Sequence, residues 1–352
     1  MKQLYAHVIA DVRDGKAGTI HPELYRAYSE NLKKGVSGVF SPSTHGDMDL
    51  DMQLQFEANV ARFAAYKAFH ATQQLQRQLA DANGVARTPE EFDRMARAVL
   101  NTFNRYQAAE YNTAVARART AKQWTDFSQP DNMFLFPNII WIPSRSANPR
   151  EEHMPFYDRV WAKDDPFWNS NQPGNLWNCK CDWEETDDPV TDGNPEGLKP
   201  AKGLEGNPAK TGQIFTDQCT YVKKAEKGAE HAVLKTMWKD NFNWALKNIR
   251  GKHFKNPGIE EEIYISRRGI KEFLNQNHDD YLAKNEMIRH IEQILITAEY
   301  MGETLYGGRV SEIFRIQLCG EDNYIIANYN DEGELILYSI TTSPKVLSDI
   351  KK

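Results

Sequence analysis

Cysteine is scarce in this 352-residue chain: Cys179, Cys181, Cys219 and Cys319 are all there are. Four thiols so unevenly spaced exclude a disulfide scaffold and fit a reduced, intracellular setting. No apolar run of about 18 residues is present, which excludes a transmembrane helix. The opening MKQLYAHVIADVRDGKAG lacks an apolar core of secretory-signal length. An excess of positive charge is missing too. The formal net charge is −6, which argues against a surface given over to nucleic acid or anionic membrane. Internal repeats and long low-complexity tracts are absent. What the chain does have is 40% hydrophobic and 11% aromatic residues, enough for two or three cored domains.

Read in order, residues 1 to about 50 are mixed. Pro22 marks a helix start, and Pro42 to Asp47 form a turn cluster. From Met52 a helical pattern sets in, with Phe56, Val60 and Phe63 at steps of three and four. It runs to Leu79, and Gly84 is a natural stop. Thr88-Pro89-Glu90-Glu91 has the form of a capping box with proline at the first helical position. Phe92, Met95, Val99 and Phe103 make the expected buried stripe of that helix. No breaker stands between it and Trp124, so one helix running through Tyr106 is expected. Met133 to Ile142 reads as an apolar strand interrupted by Pro137. Residues 184 to 212 read as a surface connector, and Glu230 to Ile249 as a helix.

The last hundred residues change character. A short strand at Ile263–Ser266 precedes helices over Arg268–Tyr281 and Lys284–Met301. Three strand-like runs follow, Ile313–Leu318, Tyr324–Tyr329 and Leu335–Thr341. The turn Asn330-Asp331-Glu332-Gly333 separates the last two. The fold class expected is α+β: a helical N-terminal region (1–128), a loop-rich middle domain (129–220), a linker helix (221–250) and a small C-terminal α+β domain with an antiparallel sheet (251–352).

One stretch resists any periodicity. Arg150 to Glu184 packs one histidine, two cysteines, three prolines and four tryptophans into 35 residues. Such a segment is a loop-built site held by its own contacts. Its aromatics, Trp161, Phe167, Trp168, Trp177 and Trp183, are expected to form a miniature core under the loop. His153, Cys179 and Cys181 are candidate ligands for a structural zinc, since thiolate and imidazole are the ligands zinc prefers. Asp158, Asp165, Cys219 and His231 are candidates for the fourth position. The alternative is that the three are packing and hydrogen-bonding residues. A redox pair is disfavoured by the strain of a Cys-x-Cys disulfide. Thiol catalysis is disfavoured because no residue evidently orients the histidine as a base.

The succession R-x-x-H (Arg150, His153), D-D-P-F-W (Asp164 to Trp168) and P-G-N-L-W-N-C-K-C (Pro173 to Cys181) resembles the signature of the phage Mu F-like head morphogenesis family of minor capsid proteins. Glu110 to Trp124 resembles the helix that precedes this motif in the family, and Asn207 to Phe215 the segment that follows. Lys180 stands where the family has arginine, and Gly174 where it has a second proline. The resemblance covers about residues 50 to 220. It implies a virion assembly role beside the portal and other capsid proteins, in the phage head or the host cytoplasm, with no membrane partner.

Proteins of that family often carry a C-terminal module similar to compact nucleases of the barnase, EndoU, colicin and RelE group. That likeness implies metal-independent RNA cleavage, for which the candidate groups are Lys271, His278, Arg289, Arg315, Ser339 and Thr341, with His290 and Glu312 as further acid/base candidates. From Gly251 to Lys352 there are 12 Lys/Arg against 17 Asp/Glu, which is not the footprint of an RNA binder. Two alternatives to the head protein are a toxin whose C-terminal domain is an active ribonuclease and a zinc-binding intracellular interaction protein.

Overall fold

The structure is a computed structural model that describes residues 2–41, 46–193, 195, 199–306, 308–348 and 350–351. Pro42 to His45 of the expected turn cluster lie outside the described residues. The fold is α+β. The chain divides into two compact units. One comprises Met1–Pro42 and Asn59–Val233, the other Ser43–Ala58 and Leu234–Lys352.

The first unit begins with helices α1 (Lys2–Arg13) and α2 (Pro22–Ser37). Pro22 occupies the first turn of α2, and the His21 ring accepts from the Glu23 N–H. Leu24, Tyr28, Leu32 and Val36 recur every four residues and are all buried. Helix α3 (Asp47–Arg77) follows, and the boundary between the units falls within it. Helix α4 (Pro89–Arg105) opens with the expected capping box of Thr88 and Glu91. Its buried stripe is Phe92, Ala96, Leu100 and Phe103. Met95 and Val99, expected in that stripe, are only half-buried.

The expected continuous helix breaks at Tyr106, and α5 (Gln107–Phe127) starts afresh. The break serves packing: α4 lies against α1, whereas α5 lies against α2. At Gly35 of α2 an added Cβ would come within 2.7 Å of the Tyr111 ring of α5, so only glycine permits this approach. The expected strand from Met133 is a correction. Pro130 starts a short helix, α6 (Pro130–Leu135), and strand β1 (Asn138–Ile142) begins only after Pro137. Proline bars its predecessor from helical backbone, and Phe136 accordingly leaves the helix at φ −131. Strands β2 (Val160–Ala162) and β3 (Asp182–Thr186) flank β1 in an antiparallel sheet of order β2-β1-β3. Helices α7 (Pro208–Thr211) and α8 (Thr220–Lys223) complete this part of the chain.

Helix α9 (Ala229–Asn248) leads into the second unit. Strands β4 (His253–Lys255) and β5 (Glu262–Tyr264) precede helices α10 (Arg267–Asn275), α11 (Tyr281–Glu286) and α12 (Ile291–Thr297). Strands β6 (Glu299–Tyr306), β7 (Arg309–Leu318), β8 (Glu321–Tyr329) and β9 (Leu335–Thr341) form an antiparallel meander. The full order is β4-β5-β9-β8-β7-β6, with β5 parallel to β9. The expected helix over Lys284–Met301 therefore ends early. Glu299 and Tyr300 pair with β7 instead, with Met301 at a bulge before Gly302, because an edge for strand pairing outweighs local helical preference.

The helix-bearing face of this sheet holds Phe314, Leu318, Ile325, Ala327, Leu335, Leu337 and Ile340. Leu54 and Ala58, from the first third of the chain, are buried in the same core. Asp51 accepts from the N–H groups of Cys319 (2.6 Å) and Gly320 (2.9 Å) in the β7–β8 turn. Among the described residues no helix is long and apolar enough to cross a membrane.

Candidate functional site

The aperiodic stretch folds around β1. Its aromatics and thiols make one core: Phe127, Ile139, Trp141, Phe156, Trp161, Trp168, Cys179, Cys181 and Trp183. Trp161 and Phe167 stack at 4.2 Å, and the Trp141 and Trp168 rings lie parallel. Trp177, expected in this core, departs from it and stacks on Phe215 at 5.5 Å.

Three short devices bring the histidine and thiols together. Residues Glu151–Phe156 form a 3₁₀ turn that carries His153 inward. Asn178 takes a left-handed backbone (φ 59), which asparagine tolerates, and thereby turns the chain into Cys179. Cys181 then enters β3. His153 Nδ1 lies 3.2 Å from the Cys181 sulfur and 3.3 Å from the Cys179 sulfur. The backbone N–H of Cys181 points at the Cys179 sulfur at 3.4 Å. All three residues are buried, and their ligand atoms lie within 4.8 Å of one another. The hydrogen bond from Cys181 pulls the Cys179 thiol well below its ordinary range against the opposing effect of burial. The same contact and burial push Cys181 up. Such a pair shares one negative charge and cannot readily carry two.

None of Asp158, Asp165, Cys219 and His231 joins this cluster. Asp165 accepts from the Phe167 N–H at 2.7 Å, and Cys219 faces the Gly203 carbonyl at 3.6 Å. His231 is exposed, and Asp158 heads a tight turn at φ 60. The residue that sequence reasoning missed is Asn175. Its Oδ1 lies 3.1 Å from His153 Nε2, and its amide donates to the Ser170 carbonyl at 3.2 Å. The P-G-N turn between the two motif halves was the available signal.

The flanking segments converge on the same knot. Arg117 of α5, fully buried, donates to the carbonyls of Leu204 (2.8 Å) and Gly206 (3.1 Å). Burial draws its guanidinium down to about 10. Thr120 donates to the Pro173 carbonyl at 3.1 Å, and the Trp183 indole donates to Gln123 at 3.1 Å. Asn207 donates to the Trp168 carbonyl at 3.2 Å. Arg150 donates to the Trp177 carbonyl at 2.7 Å. Gly174 has φ +96, a backbone closed to proline, and a Cβ there would meet Arg117 at 3.1 Å. Glycine at position 174 is thus required by this chain's own turn.

The C-terminal candidates are dispersed. Arg315, Ser339 and Thr341 share the sheet face opposite the main core. In one row Arg315 opposes Tyr324, which opposes Thr341, and in the next Ser339 opposes Ile326. Ser339 is buried there, and Arg315 pairs with Glu299 and, at 3.8 Å, Asp322. His278 bonds Asn323 at 2.6 Å, on the other face by alternation. Arg289 is held by Asp240 at 2.6 Å and Asn241 at 2.7 Å. Lys271 is exposed on α10. His290 bonds Glu57 at 2.8 Å, and Glu312 accepts from Tyr300 at 2.7 Å. A cavity of about 350 Å³, lined by Tyr264, Arg268, Arg309, Asn328, Asn330 and Tyr338, lies apart from the sequence candidates.

Residues 232–317, about a quarter of the chain, match the family model described as Large polyvalent protein-associated domain 3. The match points to a phage-associated or polymorphic-toxin-like protein. Neither a curated protein nor a solved structure matches the chain. The matched residues run from α9 into β7 and leave the knot outside.

Proposed function

We propose that the chain is a phage or prophage minor head protein that acts in capsid assembly beside the portal. The observation that supports this reading is convergence. The helix before the motif, the motif itself and the segment after it are 100 residues apart at their extremes, yet Arg117, Thr120, Trp168 and Asn207 tie them into one body. A resemblance carried by three separated segments gains weight when the same segments meet in space. The family-model match adds a phage-associated context from a different part of the chain. The test is co-expression with the portal protein encoded by the same phage or prophage. The two should co-purify, and substitution of Arg117 by methionine should abolish capture along with the order of the 204–213 loop. Portal recovered without this chain would remove the reading.

A second reading, RNA cleavage by the C-terminal unit, is favoured by the cavity that sets Arg268 and Arg309 beside Tyr264 and Tyr338. Guanidinium groups with aromatic faces are suited to phosphate and unstacked bases. RNA of the expressing host should be degraded on induction of the full chain and spared by the Arg268→Ala, Arg309→Ala double variant. Intact RNA in both would discard this reading without touching the first.

A further inference from the structure

We propose that His153, Cys179 and Cys181 hold one zinc ion, with its fourth position open to the cavity beside them. The inference rests on which lone pairs face inward. The Asn175 amide is oriented by its own donation to the Ser170 carbonyl, so its Oδ1 faces His153 and must accept. In the neutral ring His153 Nε2 therefore carries the proton, and the Nδ1 lone pair is directed at two sulfurs 3.2 and 3.3 Å away. A neutral imidazole whose outer N–H is fixed by an amide oxygen is the arrangement of a metal-bound histidine. The two sulfurs and the nitrogen lie within 4.8 Å of one another, close enough for a single zinc, which takes such ligands at about 2.0–2.3 Å. The Cys181 N–H directed at the Cys179 sulfur stabilises charge on that thiolate.

The softness of the donors selects zinc over magnesium or calcium, which require oxygen. The number of donors is three, and no other His, Cys, Asp or Glu among the described residues completes the set. A cavity of about 310 Å³ adjoins all three ligands and is lined also by Ser144, Glu151 and Glu152. The fourth ligand is therefore a water or a donor supplied by a partner protein. Trp141 edges the His153 ring at 5.3 Å and shields the other side.

The same three residues with Asn175 could instead serve a thiol nucleophile, since an amide orienting a histidine beside a cysteine also describes that chemistry. Two features favour metal. Both sulfurs, not one, face the same nitrogen, and both cysteines are more than nine-tenths buried.

The full chain, purified without chelator, should contain one zinc per chain by elemental analysis. Cys179→Ser and Cys181→Ser should each reduce this at least tenfold. Asn175→Ala keeps all three ligands and should weaken zinc affinity about 10–100-fold in competition with a chromogenic chelator. Because that variant retains the ligands, it separates loss of the amide that orients His153 from loss of the fold. Replacement of zinc by cobalt(II) should give the near-ultraviolet thiolate charge-transfer band. A chain that is folded by circular dichroism yet neither contains zinc nor takes it up at micromolar concentration overturns the proposal. So does rapid alkylation of Cys179 by iodoacetamide in saturating zinc.

Discussion

The knot around β1 and the C-terminal sheet use polar side chains in opposite ways. In the knot, side chains from distant segments point at one place: His153, Cys179, Cys181 and Asn175 make a single buried cluster, ringed by tryptophans. In the C-terminal unit, candidate groups are paired one by one, Arg289 with Asp240, Arg315 with Glu299 and His278 with Asn323. Convergence marks a site, whereas pairwise satisfaction marks a fold. Residue types alone do not tell the two apart, because both regions carry histidine, arginine and serine.

That contrast can be broken by mutation. The largest effect is expected at Trp168, which is fully buried and donates its indole N–H to the Ala162 carbonyl at 2.9 Å. Trp168→Ala should cost about 3–5 kcal/mol in urea unfolding, with loss of near-ultraviolet circular dichroism from the tryptophan cluster. A cost under about 1 kcal/mol would mean that the knot is not a packed core. Next comes Leu54, which belongs to the sheet's core although it lies some two hundred residues before it. Leu54→Ala should cost about 2–5 kcal/mol, and a fragment limited to 251–352 should fail to fold cooperatively until residues 46–58 are restored. A cooperative unfolding transition of the bare fragment would refute the shared core.

A smaller effect sharpens the comparison within the sheet unit. Lys284 is buried and donates to the carbonyls of Phe273 (2.8 Å) and Leu274 (3.2 Å), closing the end of α10. Burial pulls its ammonium down to about 7, against about 10.4 in an unfolded chain. Between those values the unfolded state binds more protons than the folded one, so stability should rise with pH across that window. Below about 7 both states are protonated, and the penalty of the buried charge is present in full. Lys284→Met should flatten the rise, as followed by urea midpoints from pH 7 to 10. An unchanged slope would assign the dependence to other groups. The smallest effect is expected at Arg315, whose ion pair with Glu299 is well exposed. Arg315→Ala should shift stability by less than about 1 kcal/mol, and a larger loss would mark this arginine as more than a surface partner.

Much of the fold was legible where signals are local. The Thr88 capping box, proline at the start of α2, and the Asn330–Gly333 turn all reside in a few consecutive residues. The break at Tyr106 was not legible, because it answers to α4 and α5 having different partners. Strand β6 was missed for a similar reason, since its helix-compatible residues are claimed by pairing with β7. Nor does anything at Asn59 announce that the preceding turns of α3 join the C-terminal unit. The site was half legible. Thiol and imidazole spacing named three residues of the cluster, but Asn175 has meaning only once the P-G-N turn folds it under His153.

The composition of purified particles tests the proposed role most directly. DNA-filled heads from the phage or prophage that encodes this chain, analysed by quantitative mass spectrometry, should contain it at a fixed ratio to the portal protein. A chain abundant in the lysate but absent from those heads would contradict the account.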